Sequence, residues 1–245
     1  YPAVDDAAAR PARYLPRGFL LHALAFGVAR ARRIRTHSVE GAAPAPGRHP
    51  VLLFSPAGWA PYFYGAALEE LASHGYVVVA LQHPAEMVPC TVRADGRRTW
   101  FRSRAVAGAL SVSKRPHDQD VRDRGAVVDV KADDLIATLD QLHALVAERR
   151  DPLADALDLS RVGAFGHSFG GGAAIVASQR DDRFLAAANL DGAMWRAPAG
   201  CRLHRPLLLL LAEHPEMVGA CTDAVRDGFY SSVDWCETDR ALHRA

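Results

Sequence analysis

Short apolar runs alternate with amphipathic stretches along most of this chain. Five runs have the length and the aliphatic or β-branched composition of buried strands. They occupy residues 51–54, 76–81, 162–165, 185–189 and 207–212. Because these runs are continuous rather than alternating, they are typical of a parallel sheet that is covered on both faces. The pattern therefore predicts an α/β fold with a mostly parallel central sheet and helices on both faces.

The stretches between the runs predict helices. Residues 66–74 form one such stretch, and Gly75 is placed to end it, as glycine commonly does at a helix C-terminus. Residues 127–149 form a longer one, with aliphatic side chains at helical spacing along one face, namely Leu135, Leu139, Leu142 and Val146. Weaker patterns predict a helix near residues 18–34, a helix near 216–228 and a strand near 233–237.

Length and charge limit the domain organisation and the class of partner. The chain has 245 residues, 49% of them hydrophobic, and a net charge of +1, which fits one α/β domain over residues 1–245. We expect residues 1–50 to be an extension packed on that domain. The polar, basic and aperiodic residues 87–125 are expected to be an insertion that shapes the entrance to a site. The near-neutral charge argues against a nucleic-acid partner.

Membrane and cysteine signals are weak. No apolar run reaches the roughly 18 residues of a membrane span, and we interpret the longest, residues 19–31, as an amphipathic helix of the domain rather than a signal peptide. The cysteines (Cys90, Cys201, Cys221 and Cys236) have no metal-ligand spacing. Two disulfides in an exported protein and four thiols in the core are both compatible with this count. Nothing in the pattern specifies an oligomeric state.

The motif G-H-S-F-G at residues 166–170 is the strongest chemical signal. An apolar run precedes it and small residues follow, which predicts a strand, a tight turn and a helix. In a nucleophile elbow this arrangement holds the serine, here Ser168, on a strained turn with its hydroxyl exposed. The backbone N–H of the next residue, Phe169, is then placed to bind an oxyanion. We interpret the motif as a nucleophile elbow.

A nucleophilic serine needs a base and an orienting carboxylate, which follow it in the order acid, then histidine, in α/β-hydrolases. Two carboxylates downstream of Ser168 directly follow predicted strands, namely Asp191 and Glu213. Glu213 is at the more usual acid location, whereas Asp191 has a glycine after it that allows a tight turn. Position alone does not choose between them.

Several histidines compete for the role of base. His204 precedes a strand, which places it at the wrong end of the sheet, and His214 leaves no final strand to present it. His243 follows the last predicted strand and is the best candidate. His167 lies inside the elbow, where we expect it to pack beside the serine.

The loop S-P-A-G-W at residues 55–59 follows the first core strand and is predicted to supply the second oxyanion donor. Gly58 is the preferred donor and Trp59 its rival. Aromatic residues next to this loop are expected either to wall a substrate pocket or to pack in the core. The residues predicted for the pocket are Trp59, Tyr62, His83 and Trp195.

Other chemistries lack their motifs. The glycines are not followed by G-K-[ST], there is no G-x-G-x-x-G fingerprint, and no H-E-x-x-H occurs. The sequence therefore predicts neither a metal nor a nucleotide cofactor.

Three phrases together resemble a known family. They are F-G-H-S-F-G-G at residues 165–171, L-A-S-H-G-Y at 71–76 and N-L-D-G-A-M-W at 189–195. This combination resembles platelet-activating-factor acetylhydrolases of the plasma and type II kind, which are related to polyester hydrolases. The resemblance implies an α/β-hydrolase fold and a cofactor-free serine esterase that acts on short or oxidised acyl groups of a small-molecule or lipid ester. It favours Asp191 as the acid, with Glu213 as the alternative, and implies secretion, although a cytoplasmic location is also compatible with the sequence.

The chain departs from the family in two places. Its oxyanion loop reads S-P-A-G-W where acetylhydrolases tend to have S-H-G-L-G, which leaves the acyl preference open. Only two residues follow His243 where relatives continue into another helix, so either the chain continues further or His243 is not the base. The alternatives to an esterase are an acyltransferase or thioesterase-like enzyme of the same fold, and a non-catalytic binding protein.

Overall fold

The structure is a computed structural model of the chain. It describes residues 1–3, 10–14, 34–58, 60–84, 86, 90–92, 97–100, 117–149, 151–192, 196 and 203–211, with the backbone alone for residues 90–92 and 117–121. The predicted elements near residues 216–228 and 233–237, and nearly all of the helix predicted near 18–34, lie outside these ranges.

Nine strands and three α-helices are found in the described part of the chain. In chain order they are β1 (Pro11–Arg13), β2 (Arg35–Val39), β3 (His49–Ser55), α1 (Gly65–Ser73), β4 (Val77–Ala80), β5 (Cys90–Val92), β6 (Arg98–Trp100), α2 (His117–Glu148), β7 (Leu157–His167), α3 (Phe169–Arg180), β8 (Phe184–Leu190) and β9 (Leu207–Leu210).

Five strands form a central sheet in the order β4-β3-β7-β8-β9, and every neighbouring pair is parallel. Each of these strands overlaps one of the five apolar runs. The parallel pairing therefore confirms the predicted α/β fold with a mostly parallel sheet.

One face of the sheet packs against α2 and α3. Alternate strand residues point to this face, and Val51, Leu53, Val162 and Ala164 join the apolar side chains of the two helices in one core. The predicted helical stripe supplies Leu135 and Leu139, both fully buried. This core holds β3 and β7 side by side, so the ends of both strands reach the same edge of the sheet.

The opposite face carries the intervening residues of the same strands. Phe54 and Phe165 are partners in register on β3 and β7, with ring centroids 4.8 Å apart. Tyr64, at the end of the 3₁₀ turn Pro61–Tyr64, packs edge-on against Phe54 with centroids 4.7 Å apart. The turn that precedes α1 thus lies over this face, near the ends of the strands.

Part of the stretch 87–125, which was expected to be an insertion, has regular secondary structure. Helix α2 begins at His117, ten residues before the predicted start, and β5 and β6 form an antiparallel pair inside the stretch. The first turns of α2 are polar, and Arg124 lies in a buried position with 3% exposure. Because a charged residue faces inward there, the hydrophobic pattern carries no helical signal.

The N-terminal extension contains a strand pair that the pattern did not predict. Strands β1 and β2 pair antiparallel, and β2 is tied to α1 through the Glu69 carboxylate. This carboxylate accepts hydrogen bonds from the backbone N–H of His37 at 3.2 Å and from the backbone N–H and hydroxyl of Ser38 at 3.1 and 2.6 Å. The mostly polar sequence R-T-H-S-V conceals this strand.

Candidate active site

Ser168 occupies a strained turn between β7 and α3. Its φ is 55° and its ψ −121°, a region that costs a non-glycine residue about 1–3 kcal/mol. Hydrogen bonds hold the turn from both sides. The Ser168 N–H donates to the Leu190 carbonyl at 3.0 Å, and the Ser168 carbonyl accepts from the N–H groups of Gly171 and Gly172 at 2.9 and 3.2 Å. The strand–turn–helix geometry is that of a nucleophile elbow.

The motif glycines allow the oxyanion loop to contact the elbow. A Cβ on Gly170 would lie 1.9 Å from the Ser55 carbonyl oxygen and 2.8 Å from that of Pro56, and a Cβ on Gly166 would lie 2.3 Å from the Gly170 backbone. Only glycine permits such an approach. The loop that contains Gly58 is therefore in backbone contact with the helix that contains Phe169.

The two predicted oxyanion donors belong to the two segments that meet here. Gly58 is partly exposed in the loop that follows β3. The Phe169 N–H belongs to the first turn of α3, where the backbone N–H groups form the positive end of the helix dipole, and the Phe169 side chain is buried. Negative charge that develops near this junction is favoured by the dipole.

Asp191 lies in a tight turn directly after β8. Its φ of 53° is also left-handed, and its N–H donates to the Leu210 carbonyl at 2.7 Å. The turn abuts the elbow, because a Cβ on Gly192 would lie 2.2 Å from the Ser168 carbonyl oxygen. The structure thus places the Asp191 turn against the Ser168 backbone.

Asn189 holds that turn in shape, and sequence reasoning did not identify it. Its side chain is fully buried. The Oδ1 atom accepts from the Gly192 N–H at 2.8 Å, and Nδ2 donates to the Gly192 carbonyl at 2.6 Å. A buried amide at the end of an apolar strand, two residues before an acid, was the signal available in the sequence.

His167 and Tyr64 form a polar pair next to the elbow. The Tyr64 hydroxyl lies 2.8 Å from His167 Nδ1. Burial lowers the pKa of His167, and the nearby Asp191 carboxylate acts in the opposite direction. His167 therefore has Tyr64 as its hydrogen-bonding neighbour, a residue that was not assigned to the pocket.

Tyr62 packs toward the N-terminal extension, which differs from its predicted position in the substrate pocket. Its ring lies 5.9 Å from the ring of Tyr14, and both border a cavity of about 260 Å³ beside the β1–β2 pair. Burial, followed by the neighbouring Tyr14, raises the pKa of Tyr62 to about 12. The difference arises because a 3₁₀ turn has about three residues per turn, so Tyr62 and Tyr64, two residues apart, face different directions.

His83 is buried rather than on an open pocket wall, with 5% exposure. Its Nε2 lies 2.9 Å from the Ser55 hydroxyl and its Nδ1 lies 2.6 Å from an Asp134 carboxylate oxygen. It borders a cavity of about 10 Å³ beneath Pro56, Ala57 and Gly58. The structure therefore places His83 behind the oxyanion loop.

The remaining predicted site residues lie outside the described ranges. They are Trp59, Trp195, Glu213 and His243. Arg97 and Arg98, from the basic stretch, are described and exposed. Within the ranges described, no His, Cys, Asp or Glu side chains are grouped in threes that could hold a metal ion. Among the described residues, no helix is both long enough and apolar enough to cross a membrane.

The parallel sheet, the strained serine turn and the acid turn packed against it define an α/β-hydrolase. A family model described as platelet-activating factor acetylhydrolase, isoform II, matches residues 19–219. Since the match covers most of the chain, the protein belongs to this family.

Curated relatives and a solved structure agree with this assignment. The chain is 27% identical to a platelet-activating factor acetylhydrolase of Cavia porcellus over 68% of its own length and 41% of the relative. It is 28% identical to the Gallus gallus protein of the same name over 71% of its own length and 46% of that relative. A "probable 1-alkyl-2-acetylglycerophosphocholine esterase" of Arthroderma benhamiae is 29% identical over 60% of this chain and 32% of that relative. The chain therefore spans less than half the length of these relatives.

The solved structure is a ferulic acid esterase from Streptomyces cinnamoneus. It superposes with a TM-score of 0.71 at 29% identity, covering 100% of this chain and 60% of that one. A likeness at this level supports the α/β-hydrolase fold.

Proposed function

We propose that the protein is a serine carboxylester hydrolase that cleaves short-acyl, acetyl-type esters through an acyl-enzyme. The observation that carries this proposal is the strained Ser168 turn, against which both the Asp191 turn and the oxyanion loop pack through backbone contacts. Strain of this kind persists only where the surrounding structure enforces it, and it concentrates at active sites.

The roles follow from the chemistry of ester cleavage. Ser168 Oγ attacks the ester carbonyl while His243 takes its proton, and Asp191 orients the imidazole and stabilises its cation. The N–H groups of Gly58 and Phe169 bind the tetrahedral oxyanion. His243 then protonates the leaving alcohol, and water cleaves the acyl-enzyme by the same route in reverse. Every step uses residues of this chain, and none requires a cofactor.

The names of the relatives support an acetyl ester as substrate. Two are named platelet-activating factor acetylhydrolase, and a third is named as a probable 1-alkyl-2-acetylglycerophosphocholine esterase. A small-molecule or lipid ester with a short acyl group is the substrate class we propose. Export of the protein is a further part of the proposal, tested by comparing the culture medium with the cell fraction of its source.

The ferulic acid esterase likeness favours a second candidate, an aromatic acyl ester. The two candidates differ in the size of the acyl pocket. An acetyl-specific pocket excludes a feruloyl group, whereas a feruloyl pocket binds acetate weakly because little of its surface is filled.

The test compares hydrolysis of p-nitrophenyl acetate, butyrate and octanoate with that of methyl ferulate. Ser168→Ala is the control variant. We expect fast turnover of the acetate, rates that fall with acyl length, and loss of activity in Ser168→Ala by a factor of roughly 10⁴ or more. Faster turnover of methyl ferulate would favour the second candidate. Equal, negligible rates for both proteins on every ester would remove the esterase proposal and favour a binding role.

The assignment of acid and base needs separate variants. Asp191→Asn, Glu213→Gln and His243→Gln should be compared on the best ester. We expect Asp191→Asn and His243→Gln to lose activity by about 10³-fold to 10⁴-fold, and Glu213→Gln to keep most of it. If instead Glu213→Gln loses activity and Asp191→Asn keeps most of it, the triad acid is Glu213.

A further inference from the structure

The ionisable side chains of Lys131, Glu86 and His83 are buried directly beneath the oxyanion loop, and the proposed reaction does not use this buried set. Lys131 Nζ lies 2.8 Å from Glu86 Oε2, with the two side chains only 2% and 8% exposed. Both residues border the small cavity under Pro56, Ala57 and Gly58. Burial lowers the pKa of Lys131 and the Glu86 carboxylate opposes this shift, as expected for an ammonium removed from water.

Two hydrogen-bonded connections join this set to the loop. Lys131 Nζ donates to the Pro56 carbonyl at 3.4 Å. The Ser55 hydroxyl lies 2.9 Å from His83 Nε2, and His83 Nδ1 in turn lies 2.6 Å from Asp134. Lys131 and Asp134 are three residues apart on α2, so they lie on one side of that helix. Helix α2 therefore holds two consecutive residues of the loop.

The same two residues of the loop also pack on the elbow. The Ser55 and Pro56 carbonyl oxygens are the atoms that a Cβ on Gly170 would strike. The loop thus contacts the first turn of α3 as well as the buried side chains of Lys131 and His83. Its position relative to Phe169 is fixed by both sets of contacts.

A buried ion pair is weak evidence of a contribution to folding stability. Replacing a buried ion pair with apolar side chains of similar volume is often neutral or stabilising, whereas removing one partner is strongly destabilising. A buried pair that hydrogen-bonds the backbone of a functional loop has a different use, because it fixes the direction of that backbone. Here the backbone in question leads directly into Gly58.

We infer that Lys131 and His83 are positioning residues. They hold the loop Ser55–Gly58 so that the Gly58 N–H faces the oxyanion. The inference rests on the proposed function. It assigns to the Lys131–Glu86 pair an effect on the tetrahedral intermediate rather than on substrate binding. Misplacing a catalytic group by about 1 Å can cost on the order of 100-fold in rate.

The test separates positioning from stability with two variants and one control. Lys131→Met removes the ammonium and leaves Glu86 buried without its partner. Lys131→Met/Glu86→Leu removes both charges, which should restore much of the folding stability. The control is Leu139→Ala, a fully buried change on the same helix that does not border the loop cavity. It should lower the melting temperature without changing kcat at temperatures well below unfolding.

Three quantities are measured on p-nitrophenyl acetate at 25 °C. They are kcat, KM and the inhibition constant of a trifluoromethyl ketone, which binds a nucleophilic serine as a tetrahedral oxyanion. We expect both Lys131 variants to lose roughly 10-fold to 100-fold in kcat and in affinity for the ketone, with KM within about threefold. Ser55→Ala, which deletes one hydroxyl from the second connection, should move the same two quantities in the same direction.

The outcomes are distinct. If the double variant regains wild-type kcat along with its melting temperature, the pair has only a structural role and the inference is overturned. The same holds if neither Lys131 variant folds and Ser55→Ala leaves kcat and ketone affinity unchanged. If the wild type itself has no Ser168-dependent activity, the proposed function fails and the inference falls with it.

Discussion

Replacing Gly170 by alanine tests the contact between the oxyanion loop and the elbow. The added methyl would lie 1.9 Å from the Ser55 carbonyl oxygen and 2.6 Å from its carbonyl carbon. Both are backbone atoms, so no flexible side chain can move aside. Reaching an ordinary contact distance of 3.4 Å requires a relative displacement of about 1.5 Å between the loop and the start of α3.

This displacement sets the size of the expected loss in stability and of the expected loss in kcat. Overpacking of this kind costs about 1–3 kcal/mol, and the better helix propensity of alanine returns about 1 kcal/mol. A net loss of up to about 2 kcal/mol lowers the melting temperature by a few degrees in a domain of this size. Because the loop and the helix carry the two proposed oxyanion donors, a shift of this magnitude should lower kcat by on the order of 100-fold.

The matched control is Gly65→Ala. Gly65 is the first residue of α1, and its added methyl would meet only the Tyr14 ring, at 3.7 Å. This variant should keep the wild-type kcat and melt at the same temperature or slightly higher. The measurements are kcat on p-nitrophenyl acetate and thermal unfolding of all three proteins. Wild-type kcat and stability in Gly170→Ala would refute the close approach described above.

Three further predictions concern other residues near the site. Asn189→Ala leaves the Gly192 N–H and carbonyl without their buried partners, at about 1–3 kcal/mol each, so we expect lower stability in urea and a clear loss of kcat; an unchanged kcat would argue against Asn189 shaping the acid turn. Ser168→Gly should melt at a higher temperature than Ser168→Ala, since only glycine adopts φ 55° and ψ −121° without strain; equal melting temperatures would show that the turn is not strained. Burial first, and Lys131 second, lowers the pKa of His83, so the stability that depends on neutral His83 is present above the ordinary value near 6.5 and is lost as the pH falls below it. The free energy of unfolding, measured with urea between pH 8 and pH 5, should therefore fall less steeply with decreasing pH in His83→Phe than in wild type. Identical slopes in the two proteins would contradict this.

Local pattern was sufficient for the sheet and the elbow. Strands β3 and β7 contain continuous apolar runs, and a G-x-S-x-G motif directly after such a run is typical of a strand–turn–helix connection. The strand periodicity and the glycine spacing act over a few residues. They could therefore be interpreted correctly without knowledge of any distant contact.

The surroundings of the elbow and the start of α2 depend instead on contacts between residues that are far apart in sequence. The burial of His83 depends on Ser55 and Asp134, which are 28 and 51 residues away in sequence. The pairing of Tyr64 with His167 spans 103 residues, and it distinguishes Tyr64 from Tyr62, which faces the N-terminal strands. The early start of α2 also depends on tertiary structure, because Arg124 is buried there and a charged residue gives no hydrophobic signal.

The sequence by itself determined the fold class and singled out Ser168, because both depend on short-range order in the chain. Only the tertiary structure decided what lies around that serine. It brought the Asp191 turn and the oxyanion loop against the elbow, and it placed Lys131 and His83 behind the loop. The physical reason is that these contacts join segments brought together by the parallel sheet, whose strand ends meet at one edge although their sequences are far apart.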